Sequence, residues 1–281
     1  MSEFYYTYEN VIDLCLLNAV LAFGCLLLLG VNLLSLATGG LMAVGAYLSI
    51  WLTMQERWPF GPALLAATLA GALAAAGLGA LVLRLRGDYF AMATLAFTEV
   101  VRILALNWDP VTGGALGVFG IPKYTETWQL LLLLALVVYF VWALRRSALG
   151  DRMRAIAEDE LAVTASGHDV ARVKLALFTA SGAIAGLGGA LAAHLNSFVA
   201  PGDFGFLRSM DAVIAPVLGG VWNLLGAAIG AIILTALPEV LRFSAQLREV
   251  LIGAVTLLAI LFLPTGIASL PRLLVRGRIA Q

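Results

Sequence analysis

The chain has 281 residues, of which 62% are hydrophobic and 12% charged, with a mean hydropathy of +0.97 and a formal net charge of +0. That usage excludes a soluble domain of average composition and identifies an integral membrane protein. The balanced charge and the lack of a basic tract argue against nucleic acid as a partner. At about 20 apolar residues per crossing, this length supports roughly eight to ten membrane helices. The expectation is therefore an all-α polytopic bundle forming a single domain over residues 1–281.

The N-terminal "MSEFYYTYEN" carries acidic and aromatic residues where a secretory signal has Lys or Arg, so the first apolar run is read as a retained helix. Apolar blocks fall at 11–34, 38–54, 61–83, 89–106, 128–144, 173–195, 209–222, 224–243 and 247–264, nine in all. Cys15 and Cys25 share the first block, where ten residues of helix hold them about 15 Å apart, too far for a disulfide. Arg84 and Arg86, the group Arg145, Arg146, Arg152, Arg154, Arg172 and Lys174, and then Arg272, Arg276 and Arg278 mark the cytoplasmic side. Counting crossings between them puts the N-terminus outside, 107–127 in the periplasm, 145–172 in the cytoplasm, 196–208 outside and the C-terminus inside. This holds only if the short block 209–222 crosses; if it is re-entrant, the parity fails.

Small residues recur at four-residue spacing, at Gly71, Ala75 and Gly79, at Gly182, Gly186 and Ala190, and at Gly226 and Gly230, a pattern that lets helices pack closely in lipid. A second glycine pattern appears in "TGGLMAVGAY" (Thr38–Tyr47), "TGGALGVFG" (Thr112–Gly120) and "LGGVWNLLGA" (Leu218–Ala227). Paired glycines weaken a helix and free backbone groups, which is tolerated at membrane depth only beside protein or a water-filled cavity. Interrupted helices in corresponding places point to a transport site, which makes Thr38, Gly39, Gly40, Tyr47, Thr112, Gly113 and Gly114 candidate pathway residues; tight packing is the competing reading.

In "RGDYFAMATLAFTEVVR" (Arg86–Arg102), Tyr89, Thr94 and Phe97 are available to line a pathway, and Glu99 stands three residues before Arg102 on one helix face. Charges inside a span imply a partner, a polar cavity or a pathway. Two roles follow: an ion pair that locks helices, with Glu99 the more buried member, or direct contact with substrate.

The polar stretch Arg145–Lys174 contains Met153, Ile156, Ala157, Leu161 and Thr164 at helical steps. This predicts one short amphipathic helix, with Arg152 and Arg154 before it, Glu158, Asp159 and Glu160 on it, and Gly167 as its stop. Such a helix suits the groove of a soluble protein; the acidic trio disfavours anionic lipid, the alternative. His168 and His194 have no ligand or catalytic companions, so no metal site is expected and each reads as a surface or packing residue. No phosphate-binding loop is present, so this chain does not use the common P-loop route to hydrolyse ATP.

The run "GDYFAMATLAF" (Gly87–Phe97) with Glu99, Arg102 and "NWDPVTGG" (Asn107–Gly114) resembles the signature of the branched-chain amino acid ABC transporter permeases, on the subunit that pairs with a second homologous permease. Leu34–Tyr47, Arg154–His194 and Leu218–Ala231 are similar to further segments of that family in the same order, so the resemblance covers nearly the whole chain. It implies half of a bacterial inner-membrane importer, multi-pass and not an enzyme. A periplasmic binding protein delivers the cargo and two ATPase subunits use the ATP, so this chain itself binds no cofactor. Arg152, Arg154, Glu158, Glu160 and Gly167 then fall in the segment that couples to the ATPases. Thr38 and Leu116 depart from the commoner polar pattern of the family, and the resemblance extends to permeases for urea, amides and aromatic acids. Two readings from other classes are a stand-alone channel or secondary carrier, which would not need the Arg145–Lys174 helix, and an intramembrane enzyme, which would need more convergent groups.

Overall fold

A computed structural model describes residues 2–240, with Gly253 and Leu257. The expected block 247–264 and the C-terminal arginines lie outside these residues. The chain forms α1 (Ser2–Leu29), α2 (Thr38–Met54), α3 (Phe60–Val82), α4 (Asp88–Asn107), the single turn α5 (Asp109–Thr112), the two-residue strand β1 (Val118–Phe119), α6 (Thr127–Arg146), α7 (Ala148–Glu158), α8 (Glu160–Ala165), α9 (Val170–Asn196), β2 (Phe198–Val199), α10 (Phe206–Gly219) and α11 (Leu224–Val240). Five of the described helices are long and apolar enough to cross a membrane, within α1, α3, α4, α6 and α9. The strands form one antiparallel ribbon, with Val118 opposite Val199 and Phe119 opposite Phe198.

Burial divides the bundle into a centre and a periphery. The membrane windows of α1 and α9 are each 72% buried, against 28% for α3, 22% for α4 and 17% for α6. The outer three therefore turn apolar faces away from the chain, as helices facing lipid or a partner subunit must. At the centre, the glycine stripes do what their spacing predicts. A Cβ on Gly186 would stand 2.6 Å from Ala67 O and 3.0 Å from Gly71 Cα, and one on Gly45 would meet the Gly186 backbone. Backbones of α2, α3 and α9 touch because no side chain separates them.

Contacts between distant residues define two ends. At the charged end, Asn32 donates to Ala157 O (2.9 Å), Lys174 pairs with Glu160 (2.7 Å), and the Arg145 guanidinium donates to Val221 O and Trp222 O (2.9 and 3.2 Å). At the opposite end His194, fully buried, donates from Nδ1 to Pro122 O at 3.0 Å and packs against Phe60 and Tyr124, so it is a packing residue.

The structure corrects two expectations about elements. The polar segment 145–174 is not one helix: Asp159 leaves helical geometry at φ −152°, and its carboxylate accepts from Leu161 and Ala162 N–H, so it starts α8 while ending α7. Arg152 and Arg154 therefore lie within α7 rather than before it. Gly167, at φ +84°, does end the motif. The block 209–222 is instead a 14-residue helix from Phe206, about 21 Å long at 1.5 Å per residue and too short for a full span.

The packing gives a direct contrast. Gly186→Val should lower the unfolding temperature of the detergent-purified chain or abolish its recovery, because overpacking against immovable backbone costs about 1–3 kcal/mol or more. At Gly77 an added methyl group would meet no other atom within 4 Å, so Gly77→Ala should be tolerated with equal or higher stability.

Candidate functional site

Two crossings of the bundle are only partly helical, and they meet. Helix α1 stops at Leu29, beside α7, and residues 30–37 run outside any helix until α2 begins at Thr38. Most of this segment is buried, so its backbone groups need partners. The N–H groups of residues 30–33 turn back onto carbonyls of α1, and side-chain hydroxyls serve Leu36 and the first turn of α2. Leu36 N–H donates to Thr94 Oγ1 (3.0 Å), Thr98 Oγ1 donates to Leu36 O (2.7 Å) and accepts from Gly40 N–H (3.3 Å), and Gly39 N–H donates to Ser209 Oγ (2.9 Å). Thr98 lies near the midpoint of α4, which places this junction midway between the two ends of the bundle.

The second partial crossing comes from the other side. After α9 and β2, residues 200–205 descend from the His194 end to the junction, where Phe204 O would lie 2.5 Å from a Cβ on Gly39. Helix α10 then carries the chain on to the turn held by Arg145. The block that was too short to span thus continues a path whose first part is a single 3-10 turn, Pro201–Phe204. The N-termini of α2 and α10 face one another at the junction and their helices leave it in opposite directions.

The expected pathway residues separate accordingly. Thr38, Gly39, Gly40, Thr94 and Phe97 gather at the junction; Thr38 Oγ1 contacts Cys25 Sγ at 3.3 Å, and Gly40 lets Thr98 Cα and the Phe97 ring approach. Tyr47 stands above it with its ring edge-on to Phe204 at 5.8 Å and its hydroxyl buried without a partner among the described residues. Tyr89 is 70% exposed on the first turn of α4, away from the junction. Thr112, Gly113 and Gly114 do not interrupt a span: Thr112 Oγ1 donates to Ala105 O and Trp108 O, and the positive φ of both glycines turns the chain at the end of α4. Gly219 and Gly220 likewise turn α10 into α11, so one of the three glycine patterns marks a mid-depth break.

Arg102 and Glu99 form the expected pair at 2.7 Å, and the Arg102 stem lies against Gly205 at the start of α10. Both side chains are about one-third exposed, so Glu99 is not the more buried member. Four polar positions were missed. Ser209 lies in an apolar block, and Arg208 and Asp211 beside it were charges that should have marked the block. Asp13, buried to 1% exposure with neither carboxylate oxygen bonded among the described residues, was hidden in the first apolar run.

Thr98 anchors two backbone groups at once. Thr98→Val should cost about 1–3 kcal/mol for each group left unsatisfied, whereas Thr98→Ser should retain most of the stability; thermal unfolding of the purified variants in detergent measures both.

Comparison with known proteins identifies the family. The family model described as the permease component of branched-chain amino acid transport systems matches residues 7–260. The high-affinity branched-chain amino acid transport system permease protein LivM of Escherichia coli is 32% identical over 94% of this chain and 70% of its own length. LivH of the same organism is 33% identical over 50% of this chain and 45% of that protein. The Escherichia coli ribose import permease protein RbsC is 27% identical over 90% of this chain and 84% of that protein. No solved structure matches significantly. With the match running from α1 past α11, the chain belongs to the family of permease components of branched-chain amino acid transport systems.

Proposed function

We propose that this chain is one of two membrane subunits of an ABC importer in the bacterial inner membrane and carries branched-chain or other neutral amino acids through the junction of α2 and α10. The substrate assignment rests on relatives: LivM, named for branched-chain amino acids, is more similar than RbsC, named for ribose. The second permease is a homologue, as LivM and LivH are two permeases of one named system. A periplasmic binding protein loads the His194 end, and two ATPases act at the charged end. The positive residues at that end set it in the cytoplasm and the N-terminus outside.

The observation that carries the reading is the seat of α7. Its Met153 Sδ would lie 3.5 Å from a Cβ on Gly30, and its Ala157 O accepts from Asn32. The helix that an ATPase would move thus grips the segment leading directly into the mid-depth break. Leu161, 72% exposed on α8, gives a docking protein an apolar foothold. Glu158 is exposed and can meet that protein, whereas Glu160 is engaged with Lys174 and fastens α8 to α9.

Two tests follow. The complex assembled from this chain and its co-encoded subunits should hydrolyse ATP faster when the binding protein carries leucine, isoleucine or valine; stimulation by ribose or urea alone would contradict the substrate assignment. Leu161→Asp should release the ATPases, read by co-purification, while the permease remains folded. Asn32→Leu should leave the ATPases bound but lower leucine uptake per ATP several-fold, and unchanged uptake per ATP would show that the α7 contact does not couple.

A further inference from the structure

The first turns of α10 carry two charges that the mid-depth junction does not use. Arg208 and Asp211 flank Ser209, whose hydroxyl accepts from Gly39 N–H at the level of Thr98. They therefore sit close to the centre of the bundle rather than at either end. Asp211 is exposed and Arg208 half-buried, on a helix whose Leu207 is 76% exposed, so the described residues leave this face uncovered. Two charges at this depth would be costly against acyl chains, and ionisable groups in membrane spans face a polar cavity or a partner.

The pair is open. Glu99 and Arg102 have the same three-residue spacing one helix away and close to 2.7 Å, yet Arg208 and Asp211 do not close into an ion pair, and neither side chain makes a hydrogen bond among the described residues. Local helix energetics do not explain the arrangement. Arg208 is the third residue of a helix without a side-chain cap, where the positive end of the dipole and the unsatisfied first-turn N–H groups disfavour a cation. An anion brought to the same place would meet the guanidinium and those N–H groups together. Two groups border the site: the Asp203 carboxylate lies within electrostatic reach of both Arg208 and Tyr47, and the Tyr47 hydroxyl, on a residue only 7% exposed, has no partner among the described residues.

We propose that Arg208 and Asp211 form a zwitterion-binding subsite at mid-depth, Arg208 receiving the carboxylate and Asp211 the ammonium of an amino acid in transit, with Tyr47 available to the carboxylate. A cation and an anion on one helix face, held apart, complement a molecule that carries both opposite charges on a single carbon atom. A sugar or a neutral amide would leave both charges unanswered. The inference rests on the amino-acid importer reading above and names the groups that recognise the cargo.

The test uses the complete transporter in proteoliposomes, supplied with radiolabelled L-leucine on its binding protein at saturation. Arg208→Gln and Asp211→Asn should each lower the maximal uptake rate at least tenfold while the variant permease still co-elutes with the second permease. Arg208→Lys keeps the charge but loses the two-pronged geometry and should fall between; it serves as the informative variant if Arg208→Gln does not fold. Wild-type-like uptake in Arg208→Lys together with either neutral variant overturns the subsite alone. Loss of co-elution with the second permease also overturns it, showing the charges to be an interface ion pair. A wild-type complex that imports no amino acid overturns the importer reading and the subsite with it.

Discussion

Everything at the centre of this protein depends on how unwound backbone is satisfied where water is scarce. A peptide group without a hydrogen bond in an apolar interior costs as much as a lost core contact, so residues 30–37 can leave the helix only where other groups replace the missing bonds. Residues 30–33 bond back to the last turn of α1 and Ala37 N–H to Ser35, while for Leu36 and the first turn of α2 three hydroxyls from distant segments provide that replacement: Thr94 and Thr98 from α4 and Ser209 from α10. They are short, so they hold three elements within a few ångströms of one another. Gly39 and Gly40 are required for the same reason, since any side chain there would meet Phe204 O or Thr98 Cα.

This clamp organises the partial crossings as a pair. One enters from the charged end as a non-helical segment and leaves as α2; the other enters from the opposite end through residues 200–205 and leaves as α10. Both helices start at the junction, so their positive ends converge there. Opposed half-helices of this kind are a recurrent way to build an intramembrane ligand site. The surrounding helices divide the work physically: α9 and α1 are the most buried, α9 meets α2 and α3 backbone to backbone, and α3, α4 and α6 turn apolar faces outward. At the charged end α7 touches Gly30 and Asn32, eight and six residues from Thr38, which gives a short covalent route from the α7–α8 motif to the break.

Much of this was legible in the residues. Apolar blocks, four-residue glycine stripes and the Glu99–Arg102 spacing each reflect local geometry, and local geometry survives folding. Gly167 stopped the cytoplasmic motif because its positive φ needs no tertiary context. What the sequence hid was depth. "TGG" reads alike at Thr38 and Thr112, but the first lies among three hydroxyls donated from distant segments and the second turns the chain at a helix end. Asp159 broke the amphipathic pattern because an Asp that bonds the next turn's amides competes with the helix it interrupts, a choice that periodicity does not record. Ser209, Arg208 and Asp211 were obscured by an apolar block whose short length was the one visible sign that something other than a simple span was present.

The central claim is that the break at residues 30–40 is a closed, hydrogen-bonded structure and not an open loop. Hydrogen exchange of the chain in nanodiscs, resolved to the amides of Leu36, Gly39 and Gly40, tests it directly. These amides should be protected to a degree comparable with the interior of α2, and protection at Leu36 and Gly40 should fall when Thr94 and Thr98 are replaced by Val. Exchange at the rate of an unstructured peptide in the unsubstituted protein would contradict the account.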